Sequence, residues 1–187
     1  LLTKYFIQPV DGFITMSDSV QNDLRQFTDK PSRLAVHPLF DNFGAPLAKK
    51  EARAFLNLPD EAPIILFFGF IRKYKGLDIL LKAMKVLKDR HQKSIPRLLV
   101  AGEYYGGKEE YEKLIQELGI EDLLIMRTTF IADSEVRYYL SAADVVIQLY
   151  RSATQSGVTP LCYHFETPMI VTNAGSLPVL VPDMEAG

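Results

Sequence analysis

From Ile64 onward the chain alternates short, uninterrupted apolar runs with amphipathic segments, and this alternation narrows the available folds more than any other feature. Runs at 64–68, 97–101, 123–126, 145–149 and 169–172 are built mainly of Ile, Leu, Val and Phe without polar alternation. Strands covered by helices on both faces read that way. Two shorter candidates, 12–16 and 33–37, precede them. Between the runs, Leu77, Leu80, Leu81, Met84 and Leu87 recur at helical spacing, predicting a helix over 77–90 with Lys82, Lys85, Lys88 and Asp89 facing away. Further helices are expected at 108–118, closed by Gly119, at 133–143 with Asp133-Ser134 as cap, and at 46–58 on the surface. A short one ends near Phe165. Repeated βα units of this kind predict a doubly wound, Rossmann-like parallel sheet. In such a sheet, ligands bind at the carboxyl ends of the strands.

At 187 residues, against roughly 150 per domain, the chain holds one domain and an appendage. The turn-rich stretch His37-Pro-Leu-Phe-Asp-Asn-Phe-Gly-Ala-Pro46 marks the join: 1–45 is expected to be a small unit with its linker, and 46–187 the α/β domain. The longest apolar run, 62–71, is broken by Pro63 and Gly69, so no membrane-spanning segment is expected. With 21 basic and 23 acidic residues there is no global charge to attract nucleic acid, and any anion site must be local. A single cysteine, Cys162, fits a reducing compartment and so a cytoplasmic protein.

The βα loops are where chemistry is expected. Gly69-Phe-Ile-Arg72-Lys73-Tyr74-Lys75-Gly76 puts three cations within four residues ahead of a helix N-terminus, where a diphosphate is the natural guest and a solvated basic turn the bland alternative. Gly102-Glu-Tyr-Tyr-Gly106-Gly107-Lys108-Glu109 approaches the phosphate-loop pattern, but Glu109 replaces the hydroxyl that should hold magnesium. In Tyr150-Arg151-Ser152-Ala-Thr154-Gln155-Ser156-Gly157-Val158, small residues let backbone approach a ligand, or simply cap a helix. Thr172-Asn-Ala-Gly175-Ser176-Leu-Pro178 is a fourth such loop. His37, His91 and His164 have no ligand spacing, Cys162 reads as a core thiol, no nucleophile elbow occurs, and Tyr138-Tyr139 and Phe67-Phe68 read as core.

In order, these loops resemble a known family. The segment Phe68-Gly69-Phe-Ile-Arg72-Lys-Tyr-Lys75-Gly76-Leu-Asp78-Ile-Leu-Leu-Lys-Ala83 is similar to the G-R-x-x-x-x-K-G-x-D-x-L-x-x-A motif of retaining, group 1 type glycosyltransferases with the GT-B fold. Leu98-Leu-Val-Ala-Gly102, Phe130-Ile-Ala-Asp133, Tyr139-Leu-Ser-Ala-Ala-Asp144 and Thr167-Pro168 through Pro178 follow in register, and Asp11 to Ser17 resembles the end of the family's N-terminal domain. The resemblance implies the donor-binding half of a GT-B enzyme that moves a sugar from a nucleotide diphosphate sugar to a glycan, lipid or small-molecule acceptor with retention. Arg72 and Lys75 would hold and neutralise the leaving diphosphate. Gly69, Phe130 and Ile131 would meet the nucleotide, and Thr154, Gln155, Ser156, Gly157 and Val158 the sugar and its phosphate. No metal and no cofactor is expected.

The likeness further implies that 1–45 is the tail of an acceptor domain lying outside this chain, that 46–187 stops short of the full fold, and that the fragment alone is inactive. Peripheral association with the inner face of the membrane through the outside part stays open. The family's arginine position holds Phe70, with Arg72 two residues later. Its first glutamate falls within Thr154-Gln-Ser-Gly157, its second on Leu161 or Cys162, and Val179 stands where an acidic residue often follows the proline. A degenerate, non-catalytic binding module is therefore the alternative, and a phosphate-loop nucleotidase using Lys108 a third.

Overall fold

The chain is seen in a computed structural model that describes residues 2–35, 37–90 and 95–182. Five strands, β3 (Ile64–Phe68), β4 (Arg97–Ala101), β5 (Leu124–Arg127), β6 (Val145–Gln148) and β7 (Met169–Val171), form an all-parallel sheet in the order β5-β4-β3-β6-β7. From β3 the chain winds outward through β4 to β5, then returns to β3's other side for β6 and β7. The loops after β3 and β6 therefore face each other across the point where the winding reverses, the place where ligands bind in such sheets.

Two apolar layers explain why the strand runs lack polar alternation. Ile64 and Leu66 pack with α3 (Lys49–Phe55), α6 (Asp133–Ala142) and α7 (Val158–His164), whereas Ile65 and Phe67 pack with α4 (Leu77–Asp89) and α5 (Lys108–Leu118). Within α4 the residues expected to face inward, Leu77, Leu80, Leu81 and Met84, are buried, and Gly119 caps α5 in the left-handed conformation at φ 59°.

Several boundaries move for local reasons. The helix read over 46–58 shortens to α3 because Leu47 N–H donates to Ser141 Oγ at 3.0 Å, holding the preceding backbone extended, and Asn57 at φ 52° ends the helical path. Helix α6 begins as expected, but its cap is Ala132. Asp133 makes no capping bond and instead places its charge in the first turn, where the helix dipole favours an anion. Strand β5 starts one residue late because Glu121–Leu123 closes a 3₁₀ turn. Cys162 is core, and burial pushes its thiol up to about 12. Of the core aromatics, Phe67 and Tyr139 are buried, while Tyr138 lies half-buried, stacked on Phe55 at 3.7 Å.

Ahead of the sheet, α1 (Leu2–Ile7), β1 (Phe13–Thr15), α2 (Asp18–Arg25) and β2 (Ser32–Leu34) form a small unit around a two-stranded parallel pair. Both strands are shorter than the expected 12–16 and 33–37, and Val36 lies outside the described residues. Lys30 Nζ ties this unit together by donating to the carbonyls of Ile7, Gln8 and Val10. Helix α2, capped by Ser17, is not foreseen from the sequence because its apolar face is only Val20 and Leu24, both half-buried, within eight residues. His91 and 183–187 also lie outside the described residues.

Asp144 anchors the far end of β6. Its carboxylate accepts from Lys49 Nζ at 2.6 Å, Arg53 Nη2 at 2.6 Å and the Ile64 N–H at 2.7 Å. Burial raises its pKa, but the bonds from Lys49 and Ile64 and the charge of Arg53 outweigh that and hold it below the ordinary value. Its contribution is present at neutral pH and lost as pH falls through the depressed pKa. Arg53 is only 5% exposed, so Asp144→Ala strands a buried cation and is expected to cost about 3 kcal/mol in urea unfolding. A loss below about 1 kcal/mol, the range of an exposed pair, would refute that role.

Candidate functional site

The loop after β3 turns sharply at Gly69, φ 88°, and lays Lys75 back beneath itself. A Cβ at Gly69 would lie 3.1 Å from Lys75 Nζ and 3.8 Å from Val158, so only a bare backbone lets the amine sit there. This brings Gly69, Lys75 and Val158, read separately in the sequence, into one cluster. Lys75 is 9% exposed, its Nζ stands 5.8 Å from the centre of the Tyr150 ring, and it makes no ion pair among the described residues. Desolvation, followed by repulsion from Arg72, lowers its pKa from 10.5 to about 8. A buried cation without an anion is expensive in the empty state and well prepared for one.

Arg72 is near enough for its charge to act on Lys75. Its guanidinium carbon stands 4.0 Å from the centre of the Tyr105 ring and 5.9 Å from that of Phe70, and its Nε is buried without a partner. Tyr105 belongs to the Gly102–Glu109 stretch. There Gly106 and Gly107 adopt left-handed φ of 87° and 71°, and Lys108 opens α5, pairing with Glu112 at 3.5 Å on the helix surface. This lysine is turned to solvent and to its own helix, which removes the support for a phosphate-loop nucleotidase.

The loop after β6 is supported from below by a buried polar cluster that the sequence did not reveal. Ser156 Oγ donates to Gln148 Oε1 at 2.6 Å and accepts the Val158 N–H at 3.2 Å, while Gln148 also meets Thr159 and Ser156 meets Tyr150. Burial pushes the Tyr150 phenol up to about 12. Ser156 and Val158, read as donor-contacting residues, are thus buried, the Ser156 hydroxyl already satisfied. They shape the site from beneath it. Thr154 and Gln155 are exposed and line a cleft of about 510 Å³ together with Tyr74, Arg151 and, from α2, Ser19 and Asp23; Gly157 is exposed at the end of the same loop. Leu161 and Cys162 point into the core, so neither stands in for a carboxylate.

Arg151 joins the two loops. Its guanidinium donates to both oxygens of Asp78 at 2.8 and 2.6 Å and to the Lys73 carbonyl at 2.8 Å, while its N–H donates to the Tyr74 carbonyl at 2.7 Å. The Arg151 bonds hold the Asp78 carboxyl below its ordinary range, against the opposing effect of burial. No spacing rule could have paired residues this far apart. On the other side of Gly69, Phe130 and Ile131 line an apolar cleft of about 180 Å³ with Phe68, Phe70, Gly102 and Glu103. Phe130 is 70% exposed, an aromatic face left open at the mouth. Among the described residues, no group of three or more His, Cys, Asp or Glu side chains could hold a metal ion, and no helix is long and apolar enough to cross a membrane.

The arrangement is therefore an apolar slot, a buried lysine near a half-buried arginine, and a polar cleft, at the carboxyl end of a parallel sheet. Comparison with known proteins finds the same sheet in solved glycosyltransferases. Superposition on sucrose-phosphate synthase from Thermosynechococcus elongatus gives a TM-score of 0.77 at 23% identity, over 95% of this chain and 44% of that one. Anabaena HepE, solved in complex with UDP-glucose, gives 0.77 at 18% identity over 93% and 48%. At these identities the likeness is one of fold, and it is the GT-B arrangement. In sequence, the D-inositol 3-phosphate glycosyltransferase of Streptomyces scabiei is 31% identical over 173 residues, 88% of this chain. The chain spans only 39% of that relative's length. Residues 48–187 match the family model described as glycosyl transferases group 1. With three quarters of its length inside that match and its strands wound in the order such a domain requires, the chain belongs to the group 1 glycosyl transferases.

Proposed function

We propose that the chain is the donor-binding part of a glycosyltransferase that moves a sugar from a nucleotide diphosphate sugar to a glycan, lipid or small-molecule acceptor with retention. The observation that carries this reading is Lys75, a buried ammonium without a counter-ion among the described residues, at the reversal point of the sheet. The nucleobase enters the apolar slot against Phe130 and Ile131, its diphosphate lies along Lys75 and Arg72, and the sugar reaches the cleft of Thr154, Gln155 and Gly157. As the glycosidic bond breaks, negative charge builds on the departing diphosphate. Cations already fixed in a poorly hydrated site stabilise that charge without reorganising. HepE, captured with UDP-glucose on the same fold, supports a donor of this class.

Residues 1–45 are the tail of the acceptor-side domain and its linker in this reading. Parallel strands are ordinarily covered on both faces, yet Ile14 in β1 is 76% exposed, as expected of a face that packs against another layer. Ser19 and Asp23 reach the donor cleft from this side. In this reading the transfer is cytoplasmic, in keeping with the single cysteine, Cys162. Titration calorimetry with UDP, GDP and ADP is expected to give heat with at least one; none with any, on folded protein, defeats the reading. The core position of Leu161 and Cys162 favours a second reading, a binding module that lacks the family's glutamate and transfers nothing. Binding without transfer of labelled sugar by the full-length protein would establish it.

A further inference from the structure

The stretch from Gly102 to Glu109 does not act as a phosphate loop, yet its packing is specific. Beyond the ends of β3 and β4 the two loops go on pairing: Ile71 N–H donates to the Glu103 carbonyl at 2.8 Å, Tyr105 N–H donates to the Ile71 carbonyl at 3.0 Å, and Ile71 bridges Tyr104 in parallel. Gly102 makes this approach feasible, since at φ 137° a Cβ there would lie 2.4 Å from the Gly69 carbonyl oxygen. The extension delivers Tyr105 to Arg72. The Arg72 guanidinium lies 4.0 Å from the Tyr105 ring centre, Phe70 closes edge-on against the same ring at 6.3 Å, and Arg72 Nε is buried with no hydrogen-bond partner.

We infer that Tyr105 is a positioning residue for Arg72: its ring holds the guanidinium by one face and keeps it beside Lys75, ready for the donor's diphosphate. A guanidinium stacked by its face leaves its in-plane N–H groups free for a bidentate acceptor. The arrangement also accounts for the shifted motif. The motif that this segment resembles has arginine directly after the glycine; here Phe70 stands there, and Arg72, two residues on, rests on the Tyr105 ring. Tyr105 is 68% exposed, so its ring is not held there by burial in the core. The inference rests on the donor-binding reading above, and the experiment separates the two.

The first measurement does not depend on any ligand. In the NMR spectrum of the protein, the Arg72 side-chain resonances are expected to be shifted upfield by the Tyr105 ring, to lose that shift in Tyr105→Leu and to keep it in Tyr105→Phe. Their appearance at ordinary positions in the unmodified protein overturns the inference whatever the protein binds. The second uses whichever of UDP, GDP or ADP gives heat. Tyr105→Leu is expected to weaken binding about three- to tenfold, Tyr105→Phe less than about twofold, and Tyr105→Leu in an Arg72→Ala background to add nothing. Equal losses with and without Arg72, or a Phe variant as poor as the Leu variant, would overturn it by showing a general packing role or a direct contact from the hydroxyl. Upfield Arg72 resonances with no heat from any nucleotide would defeat the donor reading and the role inferred from it, while leaving the stacking in place.

Discussion

Lys75→Met is expected to make the empty protein more stable and the donor site nearly useless. In the folded chain the ammonium has lost most of its water and gained no counter-ion, which is why its pKa falls from 10.5 to about 8. That difference corresponds to about 3 kcal/mol of destabilisation by the charged form. Methionine keeps the length and the packing without the charge. Near pH 7 the melting temperature should therefore rise by roughly 5 °C or more, taking about 2 to 4 °C per kcal/mol for a domain of this size. The pH dependence carries a definite sign. Below pH 8 the lysine is charged both folded and unfolded, and the cost is present in full. Between about 8 and 10.5 the unfolded chain holds the proton that the folded one has released, so the stability of the unmodified protein climbs with pH and the advantage of the methionine variant shrinks.

Nucleotide affinity should move the other way. Loss of a charge-assisted contact worth about 1.5 to 3 kcal/mol weakens nucleoside diphosphate binding by roughly 10- to 100-fold. In the unmodified protein, affinity should fall as pH rises through about 8, because a neutral amine no longer attracts the phosphates. Thermal unfolding and calorimetry on the same two proteins test both halves. A variant of unchanged or lower melting temperature would mean that the ammonium is already compensated in the empty state, and equal affinity would remove Lys75 from the donor site.

Gly76→Ala is expected to damage the fold itself, by about 3 to 5 kcal/mol in urea unfolding. Gly76 occupies the left-handed region at φ 73°, unfavourable for alanine in any surroundings. Here the space is also taken, for an added Cβ would lie 2.1 Å from the Leu149 carbonyl oxygen and 3.0 Å from its carbon, both backbone atoms that cannot swing aside. The clash falls where the loops after β3 and β6 press together. Relief must come from moving Lys75 and the first turn of α4 away from β6, so binding should weaken along with stability. A variant unfolding at the same urea concentration as the unmodified protein would show that the two loops are not packed in this way.

How much of this was legible beforehand follows from how far apart the responsible residues lie. Strands β3 and β4 and helix α5 were read to the residue, because each is announced by its own neighbours: a continuous apolar run, or an apolar stripe closed by Gly119. The short strands β1 and β2 were read too long. Their pairing runs only from Phe13 with Ser32 to Thr15 with Leu34, which no local pattern of residues specifies. The motif order located the loops around Arg72, Lys75, Phe130 and Thr154. It did not tell which of their side chains are buried and which are exposed.

The parallel layered architecture, the family and a cationic loop at the carboxyl end of β3 are all legible in the residues themselves, since burial periodicity and local motifs are properties of adjacent positions. That Ser156 points inward to Gln148, that Arg72 rests on Tyr105, and that Arg151 grips Asp78 across 73 positions of chain come instead from the folded packing. The last two contacts exist because the sheet places β6 beside β3 or extends the pairing of β3 with β4 into their loops, and the first because the loop after β6 folds back onto its own strand. A contact made by strand order leaves no spacing in the sequence from which it could be read.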